Sequence, residues 1–478
     1  MRDAERVVVT GMGAVSPNGV GREAFWRACA RGESGTGPIT LFDASQHDCR
    51  VAGEVKEFDV EAHLPAKTRR YGMRVVAMAL AATGEALAQA EIDSDRLGDE
   101  ERRQTGVILG TGAAGIAFGE EQYEVYYRQG ARRVSPYSIV ATFVGMLSSE
   151  VSMEHGLRGM SHVVSTGCTS ASDAMGYALQ SIQAGRIERV VTGGAEACIV
   201  PGIMAGFSRM GTMTSRNGNP ARASRPFNSD RDGFVMAEGA WILVFESLAS
   251  ARRRGAEPLA EVLGYGTTCD AYHRVRPEPN GEEAARAILL ALEEAGLPSE
   301  RVDYVNLHGT ATELNDRIET RAVRLAFDGH SERLPTSALK SMTGHPQGAC
   351  GAAGLVETIE AMREGWLPPT INYDKPDPAC DLDYVANEGR PADIEHAVVN
   401  CIAFGSKNSA LVVRRWDGDT RPVNRSGEEV PFRSRSEFHG RGDRHVDRQV
   451  SDRDGGDDGI GAISITDTVP DKRPLLAT

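Results

Sequence analysis

The sequence predicts an α/β protein with mostly parallel sheets that helices cover on both faces. Short β-branched and apolar runs, such as RVVVT at residues 6–10 and WILVFE at residues 241–246, indicate buried strands. Between such runs, apolar residues recur at spacings of three and four, which indicates amphipathic helices. Strands and helices alternate along the chain, as they do in the α/β class.

Glycines mark where the predicted elements end. Gly185, Gly296 and Gly365 each follow a helical pattern, at the position where a left-handed residue commonly ends a helix. The predicted elements are, in order, a strand at 6–10, a helix at 21–31, a glycine-punctuated surface segment at 35–58, a helix at 66–90, a strand and turn at 105–115, a helix at 135–155, the end of a buried strand at 163, an amphipathic helix up to 185, strands at 189–192, 241–246 and 261–270, a helix at 281–296, a strand at 302–307 and a strand–turn–helix at 339–365.

The chain contains a weak internal repeat. The strand, turn and helix around residues 163–185 are echoed at residues 339–365, and the strand starts near Val7 and Val302 can be aligned in the same way. Two similar halves packed face to face would place the carboxyl ends of their strands around one central site, where α/β proteins bind ligands.

Past Trp416 the composition changes. Residues 417–478 are dense in Arg, Asp, Gly and Ser and have few aliphatic residues, which predicts a disordered tail. We therefore expect an N-terminal half at residues 1–256 and a C-terminal half at residues 257–416.

Composition excludes several classes of function. The chain has 478 residues, a net charge of −14 and 41% hydrophobic residues, which argues against nucleic acid as the main partner. Its eight cysteines show no paired spacing typical of zinc sites, and scattered thiols indicate a reducing cytoplasm. There is no signal peptide and no apolar run of about 20 residues, so we expect a cytoplasmic protein outside the membrane.

A literal GxGxxG occurs at Gly110, Gly112 and Gly115. A dinucleotide site would need the first βα unit of its fold and a following strand with a ribose-binding acid. Neither condition is met, so these glycines indicate tight turns and close packing.

Cys168 stands at the start of a predicted helix, beside Gly167. Free backbone N–H groups and the helix dipole lower the pKa of a thiol there, which favours a nucleophile. The alternative is a free cysteine buried as a small apolar residue. His308 and His345 lie in glycine-bearing loops at predicted strand ends, and three such groups indicate acyl-thioester chemistry through an acyl-cysteine. Spacing alone leaves a hydrolase, a thiolase and a condensing enzyme open.

The sequence resembles the β-ketoacyl-carrier-protein synthases of the thiolase superfamily, from the N-terminus to residue 413. The matching motifs are RVVVTGMGAVSPNG, STGCTSA, GGAEA, RPFNSDRDGFVMAEGA, DAYH, NLHGTATELND, KSMTGH and a terminal FG-N. The resemblance implies a thiolase fold, in which duplicated βαβαβαββ halves form a five-layered αβαβα sandwich.

The resemblance also implies a role for each matching residue. Cys168 would carry the acyl chain, with its own backbone N–H and that of Phe404 as oxyanion hole. His308 and His345 would drive decarboxylation of malonyl-carrier and stabilise the enolate. Lys340 would orient the site electrostatically, and Phe404 would gate the acyl pocket.

Further residues would support this chemistry, without a metal or redox cofactor, on substrates carried by the phosphopantetheine of an acyl carrier protein. They are Glu319, which would hold Lys340, with Asp316; Thr310 and Thr312 at the pantetheine arm; Ala113 and Phe207 in the acyl pocket; and Lys67, Arg69 and Arg70 at the carrier-protein surface.

Two departures from the family pattern bear on the substrate: Gly167 replaces the alanine usual in fatty-acid enzymes, and Ala113 replaces a bulky residue at the pocket base. A third, FGSKN at residues 404–408 in place of FGGTN, bears on the mobility of the gate loop. We therefore expect the ketosynthase catalytic subunit of a type II polyketide system, either a homodimer or a heterodimer with a chain-length factor. The alternative is the fatty-acid elongating 3-oxoacyl-carrier-protein synthase II. Cys168 argues against a non-catalytic chain-length factor.

Overall fold

The structure, a computed structural model, describes residues 5–65, 69 and 73–418. Nearly all of the predicted tail at 417–478 therefore lies outside the described residues. The strands are β1 (Val7–Ser16), β2 (Gly19–Val20), β3 (Gly37–Pro38), β4 (Val51–Gly53), β5 (Thr105–Gly110), β6 (Ser161–Val164), β7 (Arg189–Glu196), β8 (Met236–Ala237), β9 (Gly239–Ser247), β10 (Ala260–Cys269), β11 (Tyr304–Asn306), β12 (Thr336–Ser337), β13 (Trp366–Leu367), β14 (Arg390–Pro391), β15 (His396–Ala403) and β16 (Lys407–Arg415).

The helices carry the apolar periodicity seen in the sequence. They are α1 (Arg22–Ala30), α2 (Arg74–Gln89), α3 (Asp99–Arg103), α4 (Ile116–Gln129), α5 (Ser138–Thr142), α6 (Met146–Glu154), α7 (Ser170–Gln183), α8 (Pro201–Arg209), α9 (Leu248–Arg253), α10 (Glu282–Ala295), α11 (Glu313–Phe327), α12 (Lys340–Thr343) and α13 (Cys350–Glu364). Within the described residues, no helix is long and apolar enough to cross a bilayer.

The central sheet consists of two five-stranded halves with the same topology. One half has the order β1-β9-β7-β5-β6 and the other β10-β16-β15-β11-β12, and β1 pairs with β10 at the join. In both, the first three strands are antiparallel and the last three parallel. The repeat is thus confirmed, but β1 corresponds to β10, so the alignment of Val7 with Val302 is wrong.

Helices form three layers around these two halves. Helix α2 packs on β1 and β9, helix α10 packs on β10 and β16, and α7 and α13 lie between the halves. The predicted α/β class and five-layer arrangement are confirmed. The expectation of mostly parallel strands is wrong, because the strands nearest the join run antiparallel.

Paired glycines let the outer helices approach the sheet. A Cβ at Gly11 or Gly13 would lie 2.0 Å from a carbonyl oxygen of α2, and one at Gly264 or Gly266 would lie 2.2 or 2.1 Å from a carbonyl oxygen of α10. The close packing of a helix on a pair of strand glycines thus occurs once in each half.

Three predicted elements differ in detail. The helix expected at 66–90 begins at Arg74, and part of the preceding stretch lies outside the described residues. The helix expected at 135–155 is broken into α5 and α6. Strand β6, expected to be buried, lies at the sheet edge and is exposed or half-buried in the single chain.

Candidate active site

Cys168 lies in the turn that begins helix α7, as predicted. Gly167 has a φ of +72°, a left-handed conformation that glycine adopts without strain. The Ser170 hydroxyl donates to the Gly167 carbonyl at 2.6 Å and accepts the Thr166 N–H at 2.9 Å. Cys168 is only 5% exposed, so this turn holds the thiol inside the protein.

Two histidines from the C-terminal half face this thiol. His345 Nε2 lies 3.1 Å from Cys168 Sγ, and the rings of His308 and His345 are nearly perpendicular with centroids 5.3 Å apart. All three side chains are buried. The structure thus brings together the three groups that the sequence singled out.

The Glu319 carboxylate holds the turn that carries His308. Its Oε1 accepts the His308 backbone N–H at 2.6 Å and an Asn400 side-chain N–H at 2.7 Å, while Oε2 accepts the Gly309 N–H at 2.7 Å. The resemblance implied that Glu319 holds Lys340. In the structure Glu319 fixes the histidine turn directly and acts on Lys340 through its charge, which helps to raise the lysine pKa.

Backbone pairing positions His345. Its N–H donates to the Val235 carbonyl at 2.7 Å, and its carbonyl accepts the Ala237 N–H at 3.0 Å. The edge of the Phe234 ring packs against the imidazole, with centroids 5.5 Å apart. The imidazole is therefore held by the chain and by packing.

Burial dominates the ionisation of all three groups. It raises the pKa of Cys168 to about 12, although the charge of Lys340 and the backbone N–H of Phe404 act in the opposite direction. The expectation that the helix start lowers the pKa of this thiol is therefore wrong. Burial, and then the charge of Lys340, lower the pKa of His308 and His345 well below the usual value. At neutral pH the site holds a thiol and two neutral imidazoles.

A cavity of about 330 Å³ opens onto the thiol. Thr310 and Thr312 line it together with Cys168, His308 and His345, and the two threonine hydroxyls lie 3.0 Å apart. Both threonines therefore line the cavity that opens onto the thiol, and their contact with a pantetheine arm stays a prediction.

Phe404 connects the thiol with an apolar cluster. Its backbone N–H hydrogen-bonds to the Cys168 sulfur, and its ring stacks on Phe207 with centroids 6.3 Å apart. Phe207 and Ala113 pack against the same buried cluster, which includes Met204. Phe404 thus contacts both the thiol and Phe207, one of the two residues predicted to form the acyl pocket.

Ser406 ties the loop that follows Phe404 to a neighbouring loop. Its hydroxyl accepts the backbone N–H groups of Tyr272 and His273 at 3.3 and 3.2 Å and donates to the His273 carbonyl at 2.9 Å. Ser406 has a φ of +63°, which glycine would adopt at less cost.

Of the remaining predicted residues, the structure describes Asp316 and Arg69. Asp316 is buried, accepts the Phe227 N–H at 2.8 Å and lies 3.4 Å from Arg231 Nε, so it supports the loop lining the cavity. Arg69 is exposed and its Nε donates to a backbone carbonyl. Lys67 and Arg70 lie outside the described residues.

Sequence reasoning missed two buried cysteines beside the site. Cys350 Sγ lies 3.2 Å from the Cys168 carbonyl oxygen, and Cys401 Sγ lies 3.5 Å from Cys350 Sγ. Cys350 follows the KSMTGH motif by five residues, and Cys401 precedes Phe404 by three. Their position beside these two motifs is the sequence feature that could have placed both cysteines near the site.

Two family models match the chain. The model for the N-terminal domain of β-ketoacyl synthases matches residues 4–251, and that for the C-terminal domain matches residues 259–374.

Curated relatives agree with these models. The chain is 41% identical over 414 residues to 3-oxoacyl-[acyl-carrier-protein] synthase 2 of Synechocystis, covering 87% of this chain and 99% of the relative. It is 38% identical over 414 residues to the protein of the same name from Coxiella burnetii, covering 86% and 99%.

Solved structures of ketosynthases share the fold. One is described as a type II polyketide synthase acyl carrier protein in complex with its ketosynthase bound to the hexaketide (31% identity, TM-score 0.79, 86% of this chain and 100% of that one). Another is the ishigamide ketosynthase/chain length factor (35% identity, TM-score 0.79, 86% and 99%). The chain therefore belongs to the β-ketoacyl synthase family, and it is an acyltransferase of that family.

Proposed function

We propose that the protein performs a decarboxylative Claisen condensation between a cysteine-bound acyl chain and malonyl-acyl carrier protein. The contact between Cys168 Sγ and His345 Nε2, with the His308 ring beside it at the end of a cavity, is the observation that carries this proposal. A cysteine nucleophile with one histidine would serve a hydrolase as well. The second neutral histidine favours a reaction in which an enolate oxygen develops.

The acyl chain is first transferred to the enzyme. Cys168 Sγ attacks the thioester carbonyl of the acyl-carrier while its proton passes to His345. The carbonyl oxygen gains negative charge and accepts hydrogen bonds from the backbone N–H groups of Cys168 and Phe404. The pantetheine sulfur then leaves with the proton, and the acyl-cysteine remains.

Malonyl-carrier then enters the same cavity. Loss of CO₂ leaves an enolate, whose oxygen accepts hydrogen bonds from the Nε2–H groups of His308 and His345. The neutral His345 ring carries its proton on Nδ1 when Nε2 accepts the thiol proton, and on Nε2 in this second step, after exchange with solvent. The enolate carbon attacks the acyl-cysteine carbonyl, a C–C bond forms, and the Cys168 thiolate is expelled and takes up one proton from solvent. Neutral imidazoles suit this step, because N–H donors stabilise the oxygen without a buried net charge. These groups perform the reaction with no bound cofactor, since phosphopantetheine delivers both substrates.

The acyl carrier protein is the partner that these steps require. A similar ketosynthase has been solved with its acyl carrier protein, and exposed Arg69 is the described member of the predicted docking cluster. Basic residues attract an acidic carrier and speed its encounter.

The substrate class that we propose is fatty acyl chains, as for the 3-oxoacyl-carrier-protein synthase 2 relatives. A polyketide substrate is the second candidate. Gly167, the small Ala113 at the pocket and the two polyketide-type structural neighbours favour it. Incubation with malonyl-carrier and either a saturated acyl-carrier or a 3-oxoacyl-carrier separates the two, since condensation with the saturated chain and not with the 3-oxo chain supports the first.

We further propose a homodimer or a heterodimer with a chain-length-factor subunit, in the cytoplasm. The residues of edge strand β6 are exposed or half-buried in the single chain. Ile139, Val140 and Phe143, in and just after helix α5, are 62%, 64% and 63% exposed, an apolar surface that favours a partner subunit. Native mass measurement, with and without a co-expressed partner subunit, tests this.

The test of the reaction is Cys168→Ala. Intact-mass measurement after incubation with acyl-carrier should show an acyl adduct on the wild type and none on the variant. Cys269→Ala is the matched control, because Cys269 is exposed and should leave loading unchanged. An acyl adduct that persists in Cys168→Ala would show that Cys168 is not the residue that carries the acyl chain.

A further inference from the structure

Two thiols and a backbone oxygen cluster on the Nδ1 side of His308. Cys350 Sγ and Cys401 Sγ are 3.5 Å apart and lie 4.0 and 3.7 Å from His308 Nδ1. The Cys168 carbonyl oxygen lies 3.2 Å from the first sulfur and 3.6 Å from the second. The condensation derived above uses neither Cys350 nor Cys401, and both are buried.

The spacing of these atoms is close to the edges of a metal tetrahedron. A tetrahedral zinc with Zn–S of about 2.3 Å and Zn–N of about 2.0 Å separates its ligand atoms by about 3.4–3.8 Å. Three of the five distances, 3.5, 3.6 and 3.7 Å, lie in that range, and the other two, 3.2 and 4.0 Å, lie about 0.2 Å outside it. A thiol is only a weak hydrogen-bond donor, so hydrogen bonding alone gives little reason for four such atoms to converge. We propose that Cys350, Cys401 and His308 form a binding site for a soft divalent cation such as Zn²⁺, with the Cys168 carbonyl oxygen nearby as a fourth ligand.

Binding would exchange protons for metal. The cation replaces the two thiol protons, which pass to solvent, so that a dication and two thiolates leave the cluster neutral. His308 contributes the Nδ1 lone pair and keeps its proton on Nε2.

Such a cation would join three separate parts of the chain. Cys350 begins α13, Cys401 lies in β15, and His308 follows β11. A ligand that binds only the folded state stabilises it, so metal-loaded protein should unfold at a higher temperature. This inference goes beyond the condensation and does not depend on it.

A second trio could compete for the metal. One ligand atom each of Cys168, His308 and His345 also lie within 4.8 Å of one another. The two trios share His308 but differ in their cysteines, so cysteine variants separate them.

The experiment is titration of the reduced, intact protein with Co²⁺, followed by absorption spectra and thermal unfolding. We expect one equivalent to bind, thiolate-to-cobalt charge-transfer bands, and a raised unfolding temperature. Zinc content of protein purified from zinc-supplemented cells gives a second measurement.

Cys350→Ala and Cys401→Ser should weaken cobalt binding by at least about 100-fold and abolish the bands, because each removes a ligand. Cys168→Ala should retain them, since only the backbone oxygen of Cys168 takes part. Metal-free unfolding of each variant verifies that it folds. The proposal is overturned if wild type binds no cobalt, or if the bands vanish in Cys168→Ala and persist in Cys401→Ser.

Discussion

Replacing Glu319 by glutamine tests whether one buried carboxylate holds the histidine turn. In the wild type Oε1 accepts two N–H groups, from His308 and Asn400, and Oε2 accepts that of Gly309 and, at 3.4 Å, one from the Asn315 side chain. Glutamine offers one oxygen, so its best orientation keeps the first two bonds and turns its NH₂ toward the Gly309 N–H. A buried donor without an acceptor costs about 1–3 kcal/mol, and the lost charge weakens the remaining bonds. We expect Glu319→Gln to lower the free energy of unfolding by about 3 kcal/mol.

Urea titration measures this loss, and the rate of condensation measures its effect on the site. A displacement of about 1 Å at a catalytic group costs about 100-fold in rate, so we expect a decrease of this order as the His308 turn shifts. Glu313→Gln is the control for stability. Glu313 begins the same helix and makes an exposed ion pair with Arg317, which contributes at most about 1 kcal/mol. If Glu319→Gln unfolds at the wild-type urea concentration, the carboxylate does not hold the turn as we infer.

Three further predictions follow from the packing. Ser406→Gly removes three hydrogen bonds but relieves the left-handed backbone conformation of a serine, so the net change in the free energy of unfolding should be within about 2 kcal/mol. The Phe404 loop should become more mobile, which is measurable as faster amide hydrogen exchange. Unchanged exchange in this loop would show that the Ser406 hydroxyl does not restrain it. Burial raises the pKa of Glu357 from 4.5 to about 8, so its folded form keeps a proton that the unfolded form releases. The free energy of unfolding is therefore highest below pH 4.5 and falls by up to about 1.4 kcal/mol per pH unit as pH rises toward 8. Glu357→Gln should flatten that slope in urea titrations at pH 6 and 8.5. An equal slope in both proteins would show that Glu357 does not cause the pH dependence. Gly110→Ala places a Cβ 2.3 Å from the backbone at the start of α7 and should lower the free energy of unfolding by more than about 3 kcal/mol. Gly84→Ala has open space around the new Cβ and should stabilise α2 by up to about 1 kcal/mol. Similar melting temperatures for the two variants would show that α7 can move away from Gly110.

The sequence predicted the three reactive groups because each lies in a local pattern. Cys168 precedes a helical periodicity, and His308 and His345 lie in glycine-bearing loops. It did not predict the ionisation of the thiol. The helix start is a local feature, whereas the burial that raises the pKa of Cys168 to about 12 comes from chain that is distant in sequence. Cys401 lies 233 residues away, yet it contacts the Cys168 backbone.

The direction of the strands could not be predicted for a similar reason. The positions of most central strands were visible in the sequence, but pairing direction depends on which strands become neighbours. Strand β1 corresponds to β10 in the repeat. The sequence indicates this correspondence through the glycine pairs Gly11–Gly13 and Gly264–Gly266. Those glycines identify the strands that a helix approaches most closely.

One physical cause determines how the site must work. Burial opposes the thiolate of Cys168 and equally opposes the imidazolium of His345, so the two pKa shifts keep both groups neutral although they lie 3.1 Å apart. A preformed ion pair is therefore disfavoured, and each unit of separation between the two pKa values adds about 1.4 kcal/mol to its cost. That cost can be offset only when a carbonyl oxygen accepts the negative charge beside the Phe404 N–H. In the proposed mechanism the nucleophile Cys168 comes from one half of the chain, and the base His345 and the oxyanion donor Phe404 come from the other. These groups meet where the two halves join, and we infer that the thiol is activated by the substrate that it attacks.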